Sequence, residues 1–160
     1  MLKVGMRAMA AGIRVSDVMT TEVTFLRTNQ TLREAWQILH DQSITGAPVL
    51  GARDRLVGIV SKADLADPRR HSETPTGTFG TVGDVMTRMI FAVRARDPVL
   101  CAVKLMIDED IHRAIVVTDN GTIAGIVTAM DILRALVRGD DVAADASDGP
   151  IQFVDLRELA

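Results

Sequence analysis

The chain is an internal duplication, and that constrains its fold more than any other feature. Asp17-Val18-Met19-Thr20 returns as Asp84-Val85-Met86-Thr87, and Gly58-Ile59-Val60-Ser61-Lys62-Ala63-Asp64 returns as Gly125-Ile126-Val127-Thr128-Ala129-Met130-Asp131, both at an offset of 67 positions. Laying 17–65 on 84–132 gives about 14 identities in 49 pairs. Elsewhere like replaces like: Val23 meets Ile90, Leu39 meets Met106, Leu56 meets Ile123, Leu65 meets Ile132. A repeat shorter than a usual domain implies two similar units that pack together to complete a core. It also implies two related sites.

Composition narrows the functions open to such a fold. A chain of 160 residues, 48% hydrophobic and 24% charged, has the size and balance of one globular unit. One Trp, four Phe and no Tyr leave few stacking platforms for single-stranded nucleic acid. A net charge of −3 and a pI near 5.6 argue against a duplex-binding surface. The single cysteine, Cys101, excludes an intrachain disulfide and a multi-cysteine metal site. It replaces Glu34 of the first copy inside an expected helix, and reads as a tolerated rather than a reactive thiol. No run approaches the ~18 apolar residues of a membrane span. The first twelve residues lack the apolar stretch of a secretory signal, so the expectation is a cytoplasmic protein with neither membrane nor nucleic-acid partner.

Each copy reads β-α-β-β-α. Ile13-Arg14-Val15 is a short alternating segment followed by a turn at 16–19. Thr31-Leu32-Arg33-Glu34 has the form of a capping box, and Leu32, Ala35, Trp36 and Leu39 behind it make one helical stripe. In copy two, Asp97 is the expected cap, Pro98 the first helical position, and Val99, Ala102, Val103 and Met106 the stripe. Hairpins follow at 47–50 with 56–60, and at 114–117 with 122–127, the second turning on Asn120-Gly121. Helices then begin at Ser61 and Thr128, the second apolar through Ile132, Leu133, Leu136 and Val137. The expected parts are an N-terminal segment 1–12, repeats 13–66 and 81–138, a breaker-rich linker 67–80 and an acidic tail 139–160. The linker carries Arg69-Arg70-His71, read as a solvated loop. The tail ends in Ile151-Gln152-Phe153-Val154-Asp155-Leu156, a candidate short strand or docking segment.

The candidate chemistry lies where each second hairpin strand enters a helix. Ser61 and Thr128 stand at the cap, with Asp64 and Asp131 three residues later. Free amides at a helix N-terminus favour an anionic group. A cap hydroxyl can donate to a phosphate oxygen, and an Asp one turn in can accept from a vicinal diol such as a ribose. Gly58 and Gly125 would remove bulk from the incoming strand. Ser-x-x-Asp and Thr-x-x-Asp are also ordinary capping boxes that need no ligand. The recurrence of the element in both copies weighs toward a site.

The ordered set resembles a pair of cystathionine-beta-synthase (CBS) domains, the tandem known as a Bateman module. It is carried by Asp17 to Thr20, Ile44-Thr45-Gly46-Ala47-Pro48-Val49 and Gly58 to Leu65, and by Asp84 to Thr87, Ile111-His112-Arg113-Ala114-Ile115-Val116 and Gly125 to Ile132. The resemblance implies two repeats packed through their sheets with pseudo-twofold symmetry and two clefts between them, taking AMP, ADP or ATP in some members and S-adenosylmethionine in others. By position, Asp64 and Asp131 would hold ribose, with Ser61 and Thr128 near phosphate. Thr20, Val23 and Thr24, with Thr87 and Ile90, would line the adenine pocket. Thr45, Gly46, Ala47 and Pro48, and His112, Arg113, Ala114 and Ile115, would complete the walls. Ile115 departs from the usual Pro held by Pro48. His112-Arg113 against Thr45-Gly46 makes the expected sites unequal, with one dominant nucleotide site. Which Asp accompanies Arg113 stays open.

The expected function is a regulatory adenine-nucleotide module that requires no cofactor, forms a homodimer and acts on a protein partner the sequence does not name. The competing reading is a dimerisation or interaction module with no small ligand. An enzyme is the weakest class. His40, His71 and His112 occur in unrelated settings, and neither a nucleophilic triad nor metal-ligand spacing is present.

Overall fold

Thr31 opens the first long helix as its sequence requires. Its hydroxyl accepts from the Glu34 amide at 3.2 Å while its own amide donates to the Glu34 carboxylate at 2.8 Å. The computed structural model describes residues 12–67 and 80–143. The segment 1–11, the Arg69-Arg70-His71 cluster and the tail with Phe153 lie outside the described residues.

In chain order the elements are α1 (Val15–Val18), β1 (Leu26–Arg27), α2 (Leu32–Asp41), β2 (Gly46–Leu50), a 3₁₀ turn (Ala52–Asp54), β3 (Leu56–Ser61), α3 (Lys62–Ala66), α4 (Val82–Val85), β4 (Ala92–Arg94), α5 (Val99–Asp108), β5 (Arg113–Val117), β6 (Ile123–Thr128) and α6 (Ala129–Arg138). The fold is mixed α/β, with two three-stranded sheets of order β1-β2-β3 and β4-β5-β6. In each, the first strand is parallel to the second and the second antiparallel to the third.

The chain divides into two compact units, and neither is one repeat. One gathers 12–21 with 91–143, the other 22–67 with 80–90. The one-turn helix of each Asp-Val-Met-Thr motif thus packs on the sheet of the other copy. Val15 is fully buried among Val93, Val99, Ala102, Leu105, Val116, Val127 and Ile132. Val82, Val85 and Met86 join Leu26, Leu39, Val49 and Val60.

Local differences from the expected elements have identifiable causes. The alternating segment 13–15 is not the first strand, which is β1: Arg14 caps a helical turn over Val15–Val18, because the Asp17 carboxylate accepts the Arg14 amide at 2.8 Å and starts a helix. Asp84 does the same for Thr81 at 2.7 Å. Leu32, Ala35 and Leu39 are buried, but Trp36 is 44% exposed. At 100° per residue it stands about 65° from the centre of the buried arc, and the Lys62 ammonium lies 5.8 Å from its ring centroid. In α5, Pro98 is the cap and Val99 the first helical residue. Asp97 instead accepts the Arg94 amide at 2.9 Å, closing the turn before the helix. Leu105 joins Val99, Ala102 and Met106 in the core, and Val103 is only partly buried. In the second hairpin only Gly121 uses positive φ, +80°, and Asn120 does not. Its turn therefore closes through Gly121 N to Thr118 O at 3.0 Å rather than as a two-residue Asn-Gly loop.

Candidate functional site

Among the described residues each unit contains one capped strand-to-helix corner, and both are built alike. In the first unit β6 ends at Thr128. The Thr128 amide and hydroxyl donate to Asp131 Oδ2 at 2.9 and 2.7 Å, and the hydroxyl accepts the Asp131 amide at 3.2 Å. In the second, the Ser61 amide and hydroxyl donate to Asp64 Oδ2 at 2.8 and 2.6 Å, and the hydroxyl accepts the Asp64 amide at 3.2 Å. The capping box is therefore real in both copies. It engages Oδ2 of each Asp. Asp131 Oδ1 meets Arg134 Nη1 at 3.3 Å, with the Asp131 side chain 12% exposed and that of Arg134 65%.

Strand register fixes what stands beside each corner. Arg113 opens β5 opposite Thr128, and Gly46 opens β2 opposite Ser61. Asp131, not Asp64, is thus the carboxylate whose cap residue faces Arg113 across a ladder. His112 precedes Arg113, is exposed, and its carbonyl accepts the Ala129 amide at 3.0 Å. Thr45 is likewise exposed, and its carbonyl accepts the Lys62 amide at 2.9 Å.

The third side of each corner comes from the other repeat. Thr20 exchanges two backbone hydrogen bonds with Ile126, at 2.9 and 3.0 Å, two residues before Thr128. Thr87 does the same with Ile59, at 2.8 and 2.9 Å, two residues before Ser61. Thr20, Arg113, Thr128 and Asp131 thus converge in one unit, as do Thr87, Gly46, Ser61 and Asp64 in the other. Val23, Thr24 and Ile90 fall in the second unit, half-buried.

Packing bears on two of the sequence expectations. A Cβ on Gly125 would lie 2.5 Å from the Thr20 carbonyl oxygen, and one on Gly58 would lie 2.7 Å from Met86 Sδ and 2.8 Å from the Thr87 carbonyl oxygen. These glycines make room for the Met-Thr backbone rather than for a ligand. Ala47 and Ala114 belong to the apolar cores of their own units. Period-two alternation points their side chains to the core face and leaves Gly46, Pro48, Arg113 and Ile115 on the opposite sheet faces, so Ala47 and Ala114 offer a wall only their backbone. Sequence reasoning missed Arg134, although its counterpart Asp67 reverses the charge at that position of the repeat.

Among the described residues, no group of three or more His, Cys, Asp or Glu is placed to hold a metal. Among the same residues no helix is long and apolar enough to cross a membrane.

Fold and corners together define an internally duplicated α/β protein with one capped, Asp-bearing corner per unit. The CBS-domain family model matches residues 15–68 and 82–138, so the chain belongs to the CBS-domain family. It is 34% identical over 124 residues to protein MJ1232 of Methanocaldococcus jannaschii, covering 78% of this chain and 40% of that relative's length. Among solved structures it is similar to the CBS domain pair of protein MJ0100 in complex with 5'-methylthioadenosine and S-adenosyl-L-methionine. That match has 26% identity and a TM-score of 0.68, over 80% of this chain and 98% of the other. It is also similar to CBSX2 of Arabidopsis thaliana in complex with AMP, with 28% identity and a TM-score of 0.66 over 79% of this chain and 98% of that one.

Proposed function

We propose that the protein is a regulatory module that binds an adenine nucleotide at its strand-to-helix corners and carries out no reaction on it. The observation that carries the reading is the convergence, in each unit, of a capped Asp, a helix N-terminus and the Met-Thr segment of the other repeat. A ligand touching Thr20 and Asp131 would tie both repeats together within one unit. Tighter binding to that arrangement would shift the population toward it, which is the signal a partner protein would read. The similar structures that hold AMP, 5'-methylthioadenosine and S-adenosyl-L-methionine support an adenosyl ligand.

Charge favours the nucleotide over the sulfonium compound. Arg134 contacts Asp131 and Arg113 stands across the ladder from its cap residue Thr128, whereas Asp67 and Gly46 hold the equivalent places around Asp64. The first unit therefore holds the dominant anion-binding site, and phosphate pairs there with a guanidinium. Thermal unfolding with AMP, ADP, ATP, NAD and S-adenosylmethionine tests this. A nucleotide at a hundredfold excess over its dissociation constant adds about 2.7 kcal/mol of apparent stability. If none of the five moves the melting temperature, the interaction-module reading replaces it. Two identical independent sites in a titration would contradict the inequality.

Self-association is part of the same reading. Met130, Leu133 and Leu136 on α6 are each about half exposed, and Val137 is 89% exposed. They form an apolar row that a second copy would cover. A monomer by light scattering at micromolar concentration would overturn that.

A further inference from the structure

We propose that Arg134 selects for phosphate by exchange: it holds the second carboxylate oxygen of Asp131 in the free protein and passes to the ligand's phosphate when a ribose hydroxyl takes that oxygen. This rests on the nucleotide reading and adds to it the residue that decides which adenosine derivatives are accepted.

The starting point is the occupancy of Asp131. Its Oδ2 is committed to the cap, receiving the Thr128 amide at 2.9 Å and the Thr128 hydroxyl at 2.7 Å. Its Oδ1 receives Arg134 Nη1 at 3.3 Å. A ribose diol hydrogen-bonding to this carboxylate meets an oxygen that already has a cationic donor. That donor is not fixed. The contact is long for a charge-assisted hydrogen bond, and the Arg134 side chain is 65% exposed, so little is lost when it moves. Arg134 lies three residues after Asp131, one turn along the same helix face, and its released guanidinium stays close to the corner.

The consequences depend on the ligand. Uncharged adenosine displaces Arg134 from Asp131 and offers its cation nothing in return. AMP displaces it and supplies two anionic charges at neutral pH, so the guanidinium gains a planar bidentate partner. Arg134 therefore opposes adenosine and supports AMP. Its counterpart in the first copy, Asp67, reverses the charge and cannot act in this way.

The test is isothermal titration of the full chain with AMP and with adenosine, for the wild type, Arg134→Gln and Arg134→Lys. We expect Arg134→Gln to weaken AMP by roughly tenfold while leaving adenosine unchanged or tighter, so that the preference for AMP collapses. Arg134→Lys keeps the charge without the planar fork and recovers part of the preference. Melting temperatures of the three ligand-free proteins should agree within about a degree, because an exposed pair of this kind contributes little to stability. If the wild type binds AMP and Arg134→Gln weakens both ligands equally or neither, the exchange is wrong and the nucleotide reading stands. If the wild type binds neither ligand, both fall together.

Discussion

Asp131 and Asp64 each close the cap of their own helix, and on the proposed reading also hold a ligand. The two roles separate by magnitude. Replacing either by Ala removes the reciprocal acceptor for a cap amide and hydroxyl, which costs about 1 kcal/mol, as cap losses do. If Asp131 holds ribose, Asp131→Ala abolishes nucleotide binding at the first corner while urea denaturation shows only that modest loss. A loss of binding matched by a collapse of the cooperative transition would mean cap alone. The glycines carry a harder constraint. A Gly125→Ala methyl would sit 2.5 Å from the Thr20 carbonyl oxygen, which is backbone and cannot step aside. We expect about 1–3 kcal/mol of destabilisation from overpacking, with Gly58→Ala milder because part of its clash is with the flexible Met86 side chain. Cys101 shows the opposite kind of residue. Burial pushes its thiol up from the ordinary 9.0, Asp97 adds to the rise and Lys104 opposes it. It should react slowly with a maleimide at neutral pH, and a fast stoichiometric reaction would show the site to be open. The caps were readable because Ser-x-x-Asp and Thr-x-x-Asp state their hydrogen bonds in the sequence. The close approach to Gly125 was not, because it depends on a partner more than a hundred positions away.

At the scale of elements, hairpins and long helices follow from local chemistry, and the errors fall where an element is one turn long or a side chain sits on the edge of a stripe. Residues 13–15 alternate like a strand, but the Asp17 carboxylate reaching back to Arg14 caps a helical turn from Val15 instead. Trp36 counts as apolar in any periodicity, yet it lies at the margin of the buried arc under Lys62. Two helix starts also bear on how the second unit responds to acid. Hydrogen bonds from the Thr31 amide and hydroxyl hold the Glu34 carboxyl below its ordinary 4.5, and those from the Thr81 amide and hydroxyl hold Asp84 below 3.8. A carboxyl depressed in the folded state contributes stability that is fully present above its unfolded value. That contribution is lost as pH falls through the lower folded value. Both groups belong to the second unit. Its melting temperature should therefore decline below about pH 4.5, and Glu34→Gln together with Asp84→Asn should flatten that decline. Equal slopes in wild type and double variant would place the acid sensitivity elsewhere.

For the whole molecule, the repeat that is obvious in sequence is not the packing unit. Copy one alone, residues 12–67, contains β1, β2 and β3 but lacks α4 and Thr87. Val82 and Val85, both almost fully buried, and Met86 at 8% exposure would be missing from its core. Ile59 would also lose both of its backbone hydrogen bonds to Thr87. Removing three buried side chains of this size forfeits several kcal/mol, comparable with the whole stability of a small domain. The segment 22–90 keeps every one of those contacts within a single piece. Expressed separately, 12–67 should be unfolded or exchange segments as a dimer, while 22–90 should show a cooperative thermal transition by circular dichroism. The reverse result would mean that each repeat closes its own core and that the exchanged helical turns are dispensable. No local pattern announces the exchange, because Asp17-Val18-Met19-Thr20 and Asp84-Val85-Met86-Thr87 are identical. Either motif would satisfy either sheet locally, and only the path of the intervening chain decides between them. The same exchange bonds Thr20 of the first copy to Ile126, on the strand that leads into the Thr128–Asp131 cap of the second. A chain cut between its repeats should therefore lose the proposed corner even where each half retains secondary structure.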